Sequence, residues 1–126
     1  MSESELTYPL GLGKYQDWEI DIYQTETGEL TYYSVDMIFP RFNIYFDFDS
    51  LLSLKQLVDF LNSLDFSSEN WVDMVLRVRD EGQIAFVFDG EERLFIKGLY
   101  MDTWFDETET RNLSMAIKDA LIDAEN

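Results

Sequence analysis

Residues 42–64 read FNIYFDFDSLLSLKQLVDFLNSL, and the spacing of apolar residues changes within this stretch. Its first part alternates apolar and polar positions, which predicts a β-strand with one buried face. The apolar positions of that strand are Phe42, Ile44, Phe46 and Phe48. Its second part has the spacing of an amphipathic helix, carried by Leu54, Leu57, Val58, Leu61 and Leu64. Asp49 or Ser50 is expected to cap this helix, and a strand running directly into a helix indicates an α+β protein.

The same two periods extend outward in both directions. Upstream, strands are predicted at 18–23 and 30–39, separated by a turn at Gly28. Downstream, strands are predicted at 72–79, at 84–88 and from Leu94 to about Trp104, the last with a bulge at Gly98. A final helix is predicted over 107–124, where apolar residues recur at i, i+3, i+4, i+7 and i+8.

The predicted fold class is therefore α+β. We expect an antiparallel sheet of about six strands with two helices packed on one face, in the order βββα-βββα. Residues 1–126 are expected to form a single domain. Within it, residues 1–16 are predicted to be an N-terminal arm, because Pro9, Gly11 and Gly13 break any regular period, and residues 17–126 form the body.

Composition excludes several kinds of chemistry. The chain has 126 residues, with 26 Asp and Glu against 9 Lys and Arg, no His and no Cys. Without Cys and His there is no disulfide, no thiolate nucleophile, no Cys or His zinc site and no Ser–His pair. A formal charge of -17 argues against direct binding to nucleic acid or to an anionic membrane.

No cofactor is indicated by any motif. Gly11-Leu12-Gly13-Lys14 is too short for a phosphate-binding loop. The polar, acidic start Met1–Glu5 is unlike a secretory signal, so we expect a cytoplasmic protein. A binding protein is expected rather than an enzyme.

Aromatic residues interleaved with carboxylates form the candidate partner-binding site. They fall on the less apolar phase of their strands or at strand ends. The set is Glu19, Asp21, Tyr23, Tyr45, Asp47, Asp49, Trp71, Asp73, Tyr100, Asp102 and Trp104. Aromatic rings beside carboxylates suit the binding of Arg and Lys, through cation–π contact and charge pairing. Cross-strand packing of the rings explains any single one of these positions better, so the binding interpretation rests on the group.

Two other uses of the carboxylates remain open. Asp47 and Asp49 stand two residues apart on one strand face, as a pair for acid–base work on a carbohydrate would. Asp47, Asp49 or the turn Asp89–Glu92 also offers oxygens for Ca²⁺ or Mg²⁺, although no EF-hand spacing is present and no metal site is assigned. Both Asp49 and the turn have simpler local roles, in helix capping and in chain reversal.

The charge and the aromatic set together predict a binding protein that occludes a basic site on a partner protein, for example a site that normally holds nucleic acid. In type, the chain is similar to immunity proteins of bacterial toxin systems and to small phage-encoded inhibitors of host defence. The alternative is a structural or assembly protein that forms a homodimer. In that case the second face of the sheet, with Val75, Val87 and Phe95, would be covered by another copy.

Overall fold

The computed structural model describes residues 5–79, 82–98 and 101–126. Eight strands and two helices follow one another as ββββα-ββββα. The strands are β1 Leu6–Tyr15, β2 Trp18–Glu26, β3 Thr31–Ile38, β4 Asn43–Phe48, β5 Val72–Val78, β6 Gly82–Phe88, β7 Leu94–Gly98 and β8 Met101–Phe105. The helices are α1 Leu52–Ser63 and α2 Glu107–Ala124. The α+β class and the strands-then-helix order, twice over, are confirmed.

The strands form two antiparallel sheets instead of one sheet of about six strands. The first sheet has the order β1-β2-β3-β4, and the second has the order β5-β6-β7-β8. Local alternation specifies strands but carries no information on which strands share a sheet, so this division could not be read from the sequence. The sheets meet where the Arg79 N–H donates to the Asp47 carbonyl at 2.9 Å.

The segment expected to be an arm contributes β1, the edge strand of the first sheet. Gly11 and Gly13 face α2, and a Cβ on either residue would collide with the backbone oxygen of Ala120 or Ala116. The glycines that broke the sequence period are thus the residues that let a helix lie directly on a strand.

The predicted strand from Leu94 to Trp104 is two strands. β7 and β8 pair antiparallel, with Gly98 opposite Met101 and Phe95 opposite Trp104. Two strands that pair with each other and one strand with a bulge have a similar alternation in the sequence, which is why a single bulged strand was predicted here.

Both sheets and both helices bury their apolar faces in one hydrophobic core. Trp18 of the first sheet packs against Phe105 of the second, with ring centroids 5.5 Å apart. The Arg111 guanidinium of α2 donates to the carbonyls of Leu61 and Leu64 at 3.0 Å each, so it satisfies the C-terminal end of α1. Neither helix in the described part of the chain combines the length and apolarity that a membrane span requires.

Helix starts differ from expectation at α1 and agree at α2. α1 has Leu51 at its N-cap without a side-chain cap, while the Ser50 hydroxyl accepts the Leu52 N–H at 3.1 Å. α2 begins with a capping box in which Asp106 and Glu109 each accept the other's backbone N–H, at 2.8 and 3.2 Å.

Candidate functional site: two outer sheet faces

The outward positions of the first sheet collect six of the eleven candidate residues. β2 carries Glu19, Asp21 and Tyr23, β4 carries Tyr45 and Asp47, and Asp49 directly follows β4. Their neighbours at buried positions of the same strands, such as Ile20, Ile22 and Phe46, point into the core. Alternation along a strand therefore places the candidate residues on the opposite face.

β3 lies between these two strands and adds Asp36, which the sequence argument left out of the site. Asp36 is opposite Asp21 on β2 and Tyr45 on β4, and Ser34 is opposite Tyr23 and Asp47. Residues directly opposite one another have Cβ atoms about 4.5–5.5 Å apart. The alternation of β3 indicated that Asp36 points outward. Its neighbours on β2 and β4, however, depend on the strand order, which the alternation does not give.

We call this surface the acidic face, defined by Glu19, Asp21, Asp36 and Asp47 with Tyr23 and Tyr45. The cation at an outward position of the same sheet is Lys14, whose Nζ lies 3.2 Å from a Glu19 oxygen. Asp47 accepts the Ser34 hydroxyl at 2.7 Å. The face therefore presents several carboxylates against one lysine, and Tyr45 is 57 % exposed among them.

Asp49 belongs to the rim of this face and is neutralised there. Arg79 pairs with Asp49 at 3.2 Å and stacks over the Tyr32 ring at 4.4 Å. Asp47 and Asp49, the pair considered for acid–base work, therefore have different partners. No group of three or more described Asp or Glu side chains is placed to hold a metal ion.

Four other candidate residues lie on the outer face of the second sheet. Trp71 precedes β5, Asp73 lies on β5, and Asp102 and Trp104 lie on β8. Tyr100 lies outside the described residues. The structure thus separates the predicted set into two groups on two sheets.

A cation of the chain itself contacts one member of the second group. Arg93 lies 5.3 Å from the Phe95 ring centroid and 6.0 Å from that of Trp104, and it also pairs with Asp89 at 2.7 Å. Trp71 donates its indole N–H to Asp73 at 3.1 Å. Part of the cation–π and hydrogen-bonding capacity predicted for a partner is therefore used internally on this sheet.

Carboxyl groups of the two sheets also differ in their pKa. Burial, then repulsion and hydrogen bonding from Glu19 and repulsion from Asp36, raise the pKa of Asp21 on the acidic face. On the second sheet, burial alone would raise the pKa of Asp89. Hydrogen bonds from the Glu91 and Arg93 N–H groups and the Arg93 guanidinium outweigh it and lower that pKa.

Comparison with known proteins adds no family to this description. No protein-family model matches the chain, and neither a curated protein nor a solved structure does. Arguments about function therefore rest on the two faces themselves.

Proposed function

We propose that this protein is a non-enzymatic binding protein whose acidic face occludes a basic site on a partner protein. The single observation that carries the proposal is the excess of carboxylates on the outer face of the first sheet, where Lys14 is the one outward cation among the described strand positions. A surface of one sign attracts a partner of the other sign and speeds association.

Solubility alone does not account for this distribution. A small domain needs a net charge of only about 2–8 in magnitude to stay soluble, whereas this chain carries -17. Excess like charge lowers the stability of a folded protein through repulsion. A functional use explains why Glu19, Asp21, Asp36 and Asp47 are grouped on one face beside exposed Tyr45.

Capture followed by titration tests the proposal. Full-length protein is immobilised, proteins of the source organism's lysate are bound and eluted by stepped salt, and the eluted partner is titrated with three forms of the chain. These are the wild type, a face variant and a matched control. The face variant is Glu19→Gln, Asp36→Asn and Asp47→Asn, and the control is Glu29→Gln, Asp59→Asn and Glu69→Gln, three exposed acids elsewhere.

Both variants lose three negative charges, from half-buried positions in the face variant and from exposed positions in the control, so thermal unfolding must first show that both remain folded. We expect the face variant to bind about tenfold more weakly, since three partly exposed charges at about 0.5 kcal/mol each give that factor. The control should stay close to wild type. Equal losses in both variants, or an affinity unchanged from about 0.05 to about 0.5 M salt, would rule out a specific acidic face.

A homodimer is the second candidate, and exposed apolar residues on the second sheet favour it. Trp71, Val75 and Trp104 are 62, 53 and 48 % exposed on its outer side. Apolar side chains grouped on one face are typical of a surface covered by another protein. Sedimentation velocity at micromolar concentration tests it, because a monomer there excludes an obligate dimer.

A further inference from the structure

The hairpin of β1 and β2 contains a bulge that opens a cavity at the border of the acidic face. Pro9 pairs with Tyr23 and Gly11 pairs with Ile22, so Leu10 has no partner across the hairpin. A cavity of about 370 Å³ lies there, between the bulge, β2 and the C-terminal turn of α2. Bulges are common beside binding sites, because they interrupt pairing and redirect side chains.

The lining of this bulge cavity combines apolar walls with carboxylates. Leu10, Leu12 and Ile22 supply apolar surface, and the Tyr23 ring lies beside them. Glu19, Asp21 and Asp123 bring the charged groups, all negative. Asp123 is fixed by the Leu12 N–H, which donates to it at 2.8 Å, and Glu19 is paired with Lys14 at 3.2 Å.

Asp21 is the group that indicates a ligand. Its Oδ1 is buried and has no hydrogen-bond partner among the described residues. The charged groups around it are Glu19 on its own strand, Asp36 on β3 and Lys14 on β1, so two of the three repel a carboxylate. A buried carboxylate oxygen without a hydrogen bond is costly to a fold. The negative charge of Asp21 is shared by both carboxylate oxygens. A cation inside the cavity therefore offsets the cost of burial without contacting Oδ1.

We propose that the bulge cavity binds a guanidinium group on an apolar stem, supplied in the complex by an arginine side chain of the basic partner. This inference rests on the proposed function. The cavity volume of about 370 Å³ lies near the lower end of the range for ligand pockets, which is about 300–1,000 Å³. A cavity of this volume suits one side chain.

Three features favour guanidinium over other cations. Carboxylates, which line the cavity at Asp21 and Asp123, are the groups that the forked N–H donors of arginine bind best, while Glu19 is already paired with Lys14. The Tyr23 ring offers a cation–π contact. Leu10 and Leu12 can cover the methylene stem, which arginine buries readily while its head stays polar.

An NMR titration of the full chain with blocked arginine tests the cavity directly. The probe is N-acetyl-arginine methylamide, and N-acetyl-citrulline methylamide is its uncharged match in shape. We expect amide shift changes at Leu10, Leu12 and Asp21 with the arginine probe and none of that size with citrulline. Equal binding of both probes, or changes confined to the second sheet, would overturn the proposal.

Two variants assign the binding to Asp21. Asp21→Asn preserves shape and removes the charge, whereas Asp17→Asn removes a charge from the exposed turn of the same hairpin, outside the cavity lining. We expect Asp21→Asn to weaken the arginine probe at least about tenfold, or 1.4 kcal/mol, and Asp17→Asn to change it less than about twofold. Equal effects of the two variants would contradict a specific site.

The same variants separate this proposal from the function it rests on. If the captured partner binds the wild type and Asp21→Asn equally but loses affinity for the face variant, the function stands and the arginine assignment falls. If blocked arginine fills the cavity while the face variant keeps full affinity for the partner, the proposed function fails instead. Agmatine binding about tenfold more tightly than blocked arginine would mean that the ligand is a small guanidine, which also overturns the assignment to a partner side chain.

Discussion

The two sheets have the same topology and opposite surface chemistry. On the first, Glu19, Asp21, Asp36 and Asp47 lie at outward positions with Lys14 as their one cationic neighbour on those strands. On the second, outward strand positions hold Asp73 and Asp102 together with Arg77 and Lys97, and Arg93, which precedes β7, lies over Phe95 and Trp104. Cations of the chain therefore offset the carboxylates on the outer face of the second sheet, whereas carboxylates stay in excess on the outer face of the first.

This difference shows that net charge is a poor guide to which surface keeps an excess of carboxylates. Aromatic residues beside carboxylates occur on both sheets, and the sequence argument treated them as one set. On the second sheet, Arg93 lies over Phe95 and Trp104. On the first sheet, Tyr23 and Tyr45 lie beside carboxylates that the chain's own cations only partly balance. The two groups therefore contain the same residue types and differ in how far the chain's own cations already contact them.

The largest effect is expected from separating α2 from the first sheet. Gly13→Ala places a Cβ against the Ala116 backbone oxygen, and neither side can move as a flexible side chain would. We expect about 3 kcal/mol of lost stability, the upper range of overpacking costs. Gly28→Ala, in an exposed turn, is the control. Chemical unfolding measures both, and equal stability of the two variants would contradict the close helix–strand contact.

Removing one cation from each face compares their internal pairing. Arg93→Ala breaks ion pairs to Asp89 and Glu91 and uncovers two rings, so we expect a loss of about 1.5 kcal/mol. Lys14→Ala removes one exposed pair and should cost about 0.5 kcal/mol or less. Thermal unfolding provides the comparison, and similar losses would mean that the second face is not specially self-compensated.

Opposite pH dependence is expected for one carboxyl group of each sheet. The folded-state pKa of Asp21 is above 3.8, so its stabilising contribution is complete below about pH 3.8 and disappears as pH rises through that pKa. Asp21→Asn should therefore stabilise the protein at pH 7, by about 0.5 kcal/mol, and not at pH 3.

Asp89 is the matched residue, because its pKa is shifted in the opposite direction. Its folded-state pKa is below 3.8, so its contribution is present above about pH 3.8 and is lost as pH falls through the folded-state pKa. Asp89→Asn should lower the melting temperature at pH 7 and have less effect in acid. Melting temperatures of both variants from pH 3 to pH 7 check the pair, and parallel curves would contradict the assigned pKa directions.

The smallest effect expected is that of salt on the unliganded protein. Screening relieves repulsion among the carboxylates, so moderate salt should raise stability by about 0.3 kcal/mol. Amide hydrogen exchange should slow more in the first sheet than in the second, because the outward strand positions of the first sheet hold four carboxylates and one lysine. A flat melting temperature would mean that local pairing already balances the acids throughout the described chain.

Local periodicity allowed most of the elements to be predicted. The range 107–124 predicted for the last helix is the range of α2, because Leu113, Ile117 and Leu121 recur at helical spacing and are buried. The outward phase of Glu19, Asp21, Tyr45 and Asp47 likewise followed from alternation with core residues. These properties depend only on neighbours a few positions away.

Contacts between distant segments explain what the sequence argument missed. β1 was interpreted as an arm because Gly11 and Gly13 make sense only against Ala116 and Ala120, about a hundred residues further along. The role of Asp36 required strand order, and the position of Arg93 over Trp104 required the β7–β8 hairpin. The bulge cavity depends on a pairing shift at Leu10 that no residue pattern announces.

By itself the sequence determined the class of fold, the phase of its strands and helices, and the chemistries ruled out by the absence of His and Cys. Hydrophobic period and composition are local or summed properties, so they need no knowledge of the fold. Only the tertiary structure decided the division into two sheets, the neighbours of each carboxylate and the burial of the Asp21 Oδ1 atom. Strand pairing and the desolvation of side chains depend on which distant strands come together. The proposed function rests on these two properties.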